Sequence, residues 1–156
     1  KDITEYGYVL KDSGEFVLIE SIEMALRLFD AHESTRRNEE RLRLIADEAP
    51  IGIFESWSHG VFETMNKEMA LILGFNAPID AIAHYTNLAH QLYVDESERE
   101  DVLHTLRAQR TIRDYPFLIH TVDGEQILLR LYARILPETS SKGRLISGFV
   151  LNPQRE

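Results

Sequence analysis

The side chains best suited to proton transfer in this sequence are its histidines, and their neighbours decide what each could do. Ser56, Ser58 and His59 fall close together, a set that supplies a hydroxyl nucleophile and a general base if the fold turns them to a common point. They stand instead at a turn, Ser58-His59-Gly60, where such residues ordinarily face solvent. His84 and His90 have Asp80 and Glu96 nearby, but they miss the i, i+4 spacing that puts two metal ligands on one helical face. The sequence contains no cysteine, which excludes a thiolate nucleophile, a thiolate metal site and a disulfide framework. Neither a catalytic centre nor a metal site is expected. The rival is a small stand-alone α+β enzyme with His59 or His120 as base, which requires a perturbed histidine near a nucleophile in a cleft.

Composition sets the frame for those residues. With 156 residues, 44% of them hydrophobic, the chain can bury one core and carry an appendage. Its formal net charge is −9, and Lys and Arg form no stripe, so neither nucleic acid nor an anionic membrane is an expected partner. No apolar run is long enough for a signal peptide or a membrane span, and a soluble cytoplasmic fragment is expected.

Tyr6-Gly7-Tyr8-Val9-Leu10 reads as a short strand within a first segment, 1–14. From Glu15 to Ala49 there is neither Gly nor Pro, which predicts one long linker helix over 15–49, stopped by Pro50. Its first half is apolar on nearly all sides (Phe16 to Phe29) and should be packed on more than one face. The middle, His32 to Arg41, is polar, with i, i+4 pairs such as Glu33 with Arg37. Leu42, Ile45 and Ala49 then form an apolar seam that could join two chains as a homodimer.

Beyond Pro50 the pattern shortens into a globular domain over 50–152, with a tail at 153–156. Ile51 to Trp57 and Val61 to Met65 predict a hairpin, and Asn66 caps a helix that ends at Gly74. Short helical turns follow from Pro78 to Gln91, and Asp95 or Ser97 caps an amphipathic helix reaching about Arg110. Strands over 111–122, 126–136 and 144–151 close the chain, joined by Asp123-Gly124 and Ser140-Ser141-Lys142-Gly143. This order is α+β: a five-stranded antiparallel sheet with its helices on one face, preceded by the long helix. Strand alternation turns Ile53, Met65, Phe117, Ile119, Leu129 and Leu131 toward the covered face, with Leu73, Leu88 and Leu92 opposite. These residues either fill the core or line a pocket for a small apolar or amphipathic ligand, with Trp57 and Tyr132 as candidate polar handles.

Several segments resemble the PAS family over roughly residues 41–151. Ala49-Pro50-Ile51-Gly52-Ile53-Phe54 is similar to the approach to its first strand, and Met65-Asn66-Lys67-Glu68-Met69-Ala70 through Leu73-Gly74-Phe75 to its Asn-capped helix. Tyr93-Val94-Asp95 with Arg99 resembles the start of its long helix, and Asp123-Gly124 its central hairpin turn. Where many members end in Asp-Ile-Thr, this chain has Leu151-Asn152-Pro153. Tyr6 to Lys11, with Phe16 to Leu28, resembles the last strand and helix of a response-regulator receiver, in which the residue matching Lys11 contacts the phosphorylated carboxylate.

The resemblance implies a non-catalytic sensory and dimerisation module of a bacterial two-component or cyclic-dinucleotide signalling protein. Such a module relays ligand or upstream phosphorylation state through the linker helix to an output domain, a histidine kinase or a GGDEF enzyme. The alternative within that family is a ligand-free dimerisation scaffold. Some members ligate haem through a His three residues after the Arg that matches Arg99. That position here is Val102, and His104 lies about 200° further round the helix. The family's flavin-adduct photosensors need a cysteine. Both cofactors are therefore disfavoured, and the cofactor, if any, stays open.

Overall fold

The uninterrupted stretch after Ser13-Gly14 folds as one helix, α1 (Glu15–Glu48). The computed structural model describes residues 15–155, with side chains from 22 to 154, so the expectations on 1–14 and on Lys11 lie outside the described residues. The chain divides into two compact units, one ending at Ile45 and one beginning at Ala46. In the first, Glu33 pairs with Arg36 at 2.8 Å and with Arg37 at 3.1 Å, and Arg36 reaches Glu40 at 2.6 Å. These solvent-facing pairs add little to stability. Of the apolar first half, which was expected to be packed on more than one face, Ile22, Met24, Leu26 and Phe29 are each at least half exposed among the described residues. Ala49 falls one residue beyond the helix, because the residue before a proline is driven out of the helical region.

In the second unit the elements follow as β1 (Gly52–Trp57), β2 (Val61–Met65), α2 (Lys67–Ile72), α3 (Pro78–His84), α4 (Leu88–Gln91), α5 (Glu96–Gln109), β3 (Thr111–His120), β4 (Gln126–Ser140) and β5 (Gly143–Leu151). Local chemistry sets the helix boundaries. Asn66 accepts the Met69 N–H to open α2, and Gly74 follows its end with φ 91°. Asp95 opens α5 by accepting the Ser97 N–H. β4 continues to Ser140, past the expected end at Leu136, and an irregularity between Ile135 and Thr139 accommodates Pro137, which has no N–H to donate.

The strands form one antiparallel sheet in the order β2-β1-β5-β4-β3. One face is covered by α2 to α5, whose Met69, Leu88, Val102 and Leu106 meet Phe117, Leu129, Leu131 and Val150 in a single core. Pro116 lies on the edge strand β3, where an absent N–H is tolerated. A bulge between Ile112 and Tyr115 puts Asp114 at φ 53°, a left-handed conformation Asp adopts more readily than most side chains.

There Arg130 Nε donates to the Asp114 carboxylate at 2.6 Å and the Tyr132 hydroxyl donates at 3.1 Å. The Arg130 hydrogen bond chiefly holds the Asp114 carboxyl below its ordinary range. With the folded value lowered, the group's contribution is present above the unfolded aspartate range and lost as pH falls through the folded value. An NMR titration should find Asp114 below the ordinary aspartate range, and Arg130→Gln should raise it. An unchanged midpoint in that variant would show that the bridge does not form in solution.

Candidate functional site

Alternation along β1 turns Gly52, Phe54 and Ser56 inward. Ser56 is thus fully buried, against the expectation of a solvent-facing turn residue, because it shares the phase of Phe54 and the turn begins only at Ser58. For the same reason Ile53 is not on the covered face. Ile53, Phe149 and Tyr132 form a cross-strand row on the other side of the sheet, where the Phe149 and Tyr132 rings stack 4.8 Å apart. Tyr132 is accordingly no handle for the core. Nor is Trp57, whose indole N–H donates to the Glu63 carboxylate.

Between sheet and helices lies a cavity of about 20 Å³. Of the predicted pocket residues, Leu88, Leu92, Phe117 and Leu131 line it. Met65, Leu73, Ile119 and Leu129 are buried in the same core but do not line it. Phe54, Phe62, Met69 and Ile146 complete much of the apolar wall, and the polar part comes from Ser56, Tyr93 and Arg99. Sequence reasoning did not place these last three at the pocket, although Arg99 precedes Val102, Leu103 and Leu106 by 3, 4 and 7 positions. That spacing puts it on the buried face of α5.

Arg99 is only 5% exposed. Its Nη2 donates to the Trp57 carbonyl at 3.3 Å, and its guanidinium carbon sits 5.9 Å from the centre of the Tyr93 ring. Its Nε has no partner, and neither does the hydroxyl of Ser56. Among the described residues Arg99 forms no ion pair. Burial pushes the Tyr93 hydroxyl upward, with the Arg99 charge acting against it. Tyr85, edge-on to Phe62 at 5.7 Å, is pushed up by burial to about 12.

The histidines are scattered. His59 is exposed, His120 half-buried, and His84 packs against Phe75 and Tyr85. His90 pairs with Glu96 at 2.6 Å in solvent. Ser58 Oγ is engaged by the Arg144 N–H at 3.0 Å, so the Ser58 and His59 pair is not assembled as nucleophile and base. Among the described residues no cluster of three or more His, Asp or Glu could hold a metal ion, and no helix is long and apolar enough to cross a membrane. On α5, Val102 faces the cavity and His104 is exposed.

This architecture recurs in solved structures. One is the PAS domain of an HTR-like protein from Haloarcula marismortui, with TM-score 0.62 and 10% identity over 79% of this chain and 98% of that one. The fold is the PAS fold. Also similar is a domain of a sensory box sensor histidine kinase/response regulator from Geobacter sulfurreducens, with TM-score 0.57 and 20% identity over 74% and 94% of the two chains. A third is the PAS domain of a LuxR-family transcriptional regulator from Burkholderia thailandensis, solved in complex with ethanol, with TM-score 0.55 and 22% identity over 72% and 96%. No family model and no curated protein matches the sequence. At these identities the likeness is one of architecture. Within the PAS fold, the expected Asn-capped helix and the Asp123-Gly124 turn take their places as α2 and the β3–β4 connection.

Proposed function

We propose that this chain is a sensory and dimerisation PAS module of a bacterial signalling protein. It reads a small molecule in the cavity and relays the state through the linker helix to an output domain, a histidine kinase or a cyclic-dinucleotide enzyme. The observation that carries this reading is the cavity itself, lined mostly by apolar side chains, two of whose lining residues, Ser56 and Arg99, bury a polar atom without a partner (Oγ and Nε). A core that served packing alone gains nothing from such atoms. The similar PAS domain from Burkholderia thailandensis was solved in complex with ethanol, a small molecule.

Hydrogen bonds at the entry to the second unit support the relay. Asn66 donates to the Ala46 and Ile51 carbonyls and accepts the Ile53 and Met69 N–H groups, so the end of α1, the start of β1 and α2 converge on one side chain. Leu42 and Ile45 are 67% and 58% exposed, an apolar pair suited to a second copy of α1, with Ala49 just past the helix end. A receiver upstream and a cytoplasmic setting belong to the same proposal.

The cavity's small volume favours a second reading, the ligand-free dimerisation scaffold, since about 20 Å³ is little more than a water site. Native mass spectrometry of the purified chain distinguishes the two. We expect a dimer, converted to monomer by Leu42→Asp with Ile45→Asp, and a small-molecule adduct on the folded wild-type protein. A bare dimer that shows no mass shift or thermal stabilisation across a small-metabolite panel would favour the scaffold. A wild-type monomer at micromolar concentration would remove the dimer.

A further inference from the structure

We propose that the cavity binds a small carboxylate of formate to acetate size, held by Arg99 and Ser56; this rests on the sensory reading above and names its ligand class. Arg99 is charged at every physiological pH and 95% hidden from water, yet among the described residues no carboxylate reaches it. A buried charge without a counter-ion is strongly disfavoured unless something else neutralises it. The Trp57 carbonyl takes one of the two Nη2 hydrogens. The other, together with the unpartnered Nε–H, forms the edge of a guanidinium that matches both oxygens of a carboxylate. Ser56 adds a hydroxyl donor from the opposite layer, β1, against α5.

Size then limits the acid. One water needs about 10–15 Å³ of such space, so about 20 Å³ as it stands takes little more than one heavy atom, and even formate or acetate enters only as the apolar wall yields. The apolar part of the wall, including Phe54, Met69, Leu88, Phe117 and Leu131, suits a hydrogen or a methyl. Longer acids would have to force the core apart, which costs packing on both layers.

The test titrates sodium acetate into the 156-residue chain in a carboxylate-free buffer, following the Arg99 Nε–H by NMR and the melting temperature. Sodium chloride at equal ionic strength and neutral acetamide serve as controls. Acetate should move the Arg99 Nε–H along a saturable curve and raise the melting temperature, while acetamide and chloride do neither. Ser56→Ala should keep a cooperative melt and weaken acetate about tenfold, the loss of one hydrogen bond to a charged group. Arg99→Gln should abolish binding. If acetamide binds as well as acetate, the carboxylate assignment fails while the sensory pocket stands, and an equal response to chloride likewise overturns it in favour of a simple halide site. If nothing binds and Arg99 Nε–H is unmoved by every solute, the ligand pocket falls, and the sensory reading with it.

Discussion

Replacing Asn66 by alanine should destabilise the second unit by about 3 kcal/mol and lower its melting temperature by on the order of 10 °C. The side chain is 4% exposed and every one of its hydrogen-bonding positions is used. Oδ1 accepts the Ile53 and Met69 N–H groups, each at 2.9 Å, and Nδ2 donates to Ala46 O at 2.6 Å and Ile51 O at 2.9 Å. Alanine removes a helix cap, which alone is worth about 1 kcal/mol, and leaves backbone groups of three segments to find water.

Asn66→Asp separates cap from tether. The aspartate still accepts the two N–H groups, but it turns two donors into acceptors facing two carbonyls, so the folded state raises its pKa. A folded value above the unfolded one means the native state binds the proton more tightly. Stability should therefore be greatest below the unfolded aspartate range and fall as pH rises from about 4 toward the folded value. Thermal melts at acid and neutral pH check this. A variant as stable at pH 7 as the wild type would show that the four bonds to Asn66 do not stabilise the second unit.

The elements that declared themselves in the sequence are those fixed by neighbours in the chain. Asn66 before α2, Gly74 after it, Asp95 before α5 and the Asp123-Gly124 turn each act within a few residues, and all stand where they were expected. Phase along β1 was harder. Ile51, Ile53 and Phe54 are all apolar, and the sheet keeps both faces partly covered, so alternation alone cannot say which of Ile53 and Phe54 goes inward. Ser56 follows that phase, and its place at the cavity was lost with it. Arg99 was hidden by its type, since charged residues are seldom found inside and its helical spacing to Val102 and Leu106 had to outweigh that prior. The apolar half of α1 shows the opposite limit: its composition signals burial, yet among the described residues Ile22, Met24, Leu26 and Phe29 are each at least half exposed.

The second large effect is expected at Gly148, in the strand that lies between β1 and β4. Its cross-strand partners are Phe54 and Ala133, so it belongs to the inward row of the sheet, beside the cavity wall. A Cβ built there would collide with the Tyr132 carbonyl oxygen and stand 3.0 Å from the Ala133 Cα and Cβ. Two of those three atoms are main chain of the adjacent strand, so no rotamer change relieves the contact, and β4 would have to move as a whole. Gly148→Ala should thus cost about 2–3 kcal/mol, and Gly148→Val more, at the upper end of what overpacking a core costs. The glycine's backbone φ is not in the left-handed region, so the penalty is one of space rather than conformation. Chemical denaturation of both variants distinguishes these causes: a graded loss from alanine to valine follows from crowding. An alanine variant as stable as wild type would mean that β4 and β5 separate easily. The inward wall would then be soft enough to admit molecules larger than its volume allows.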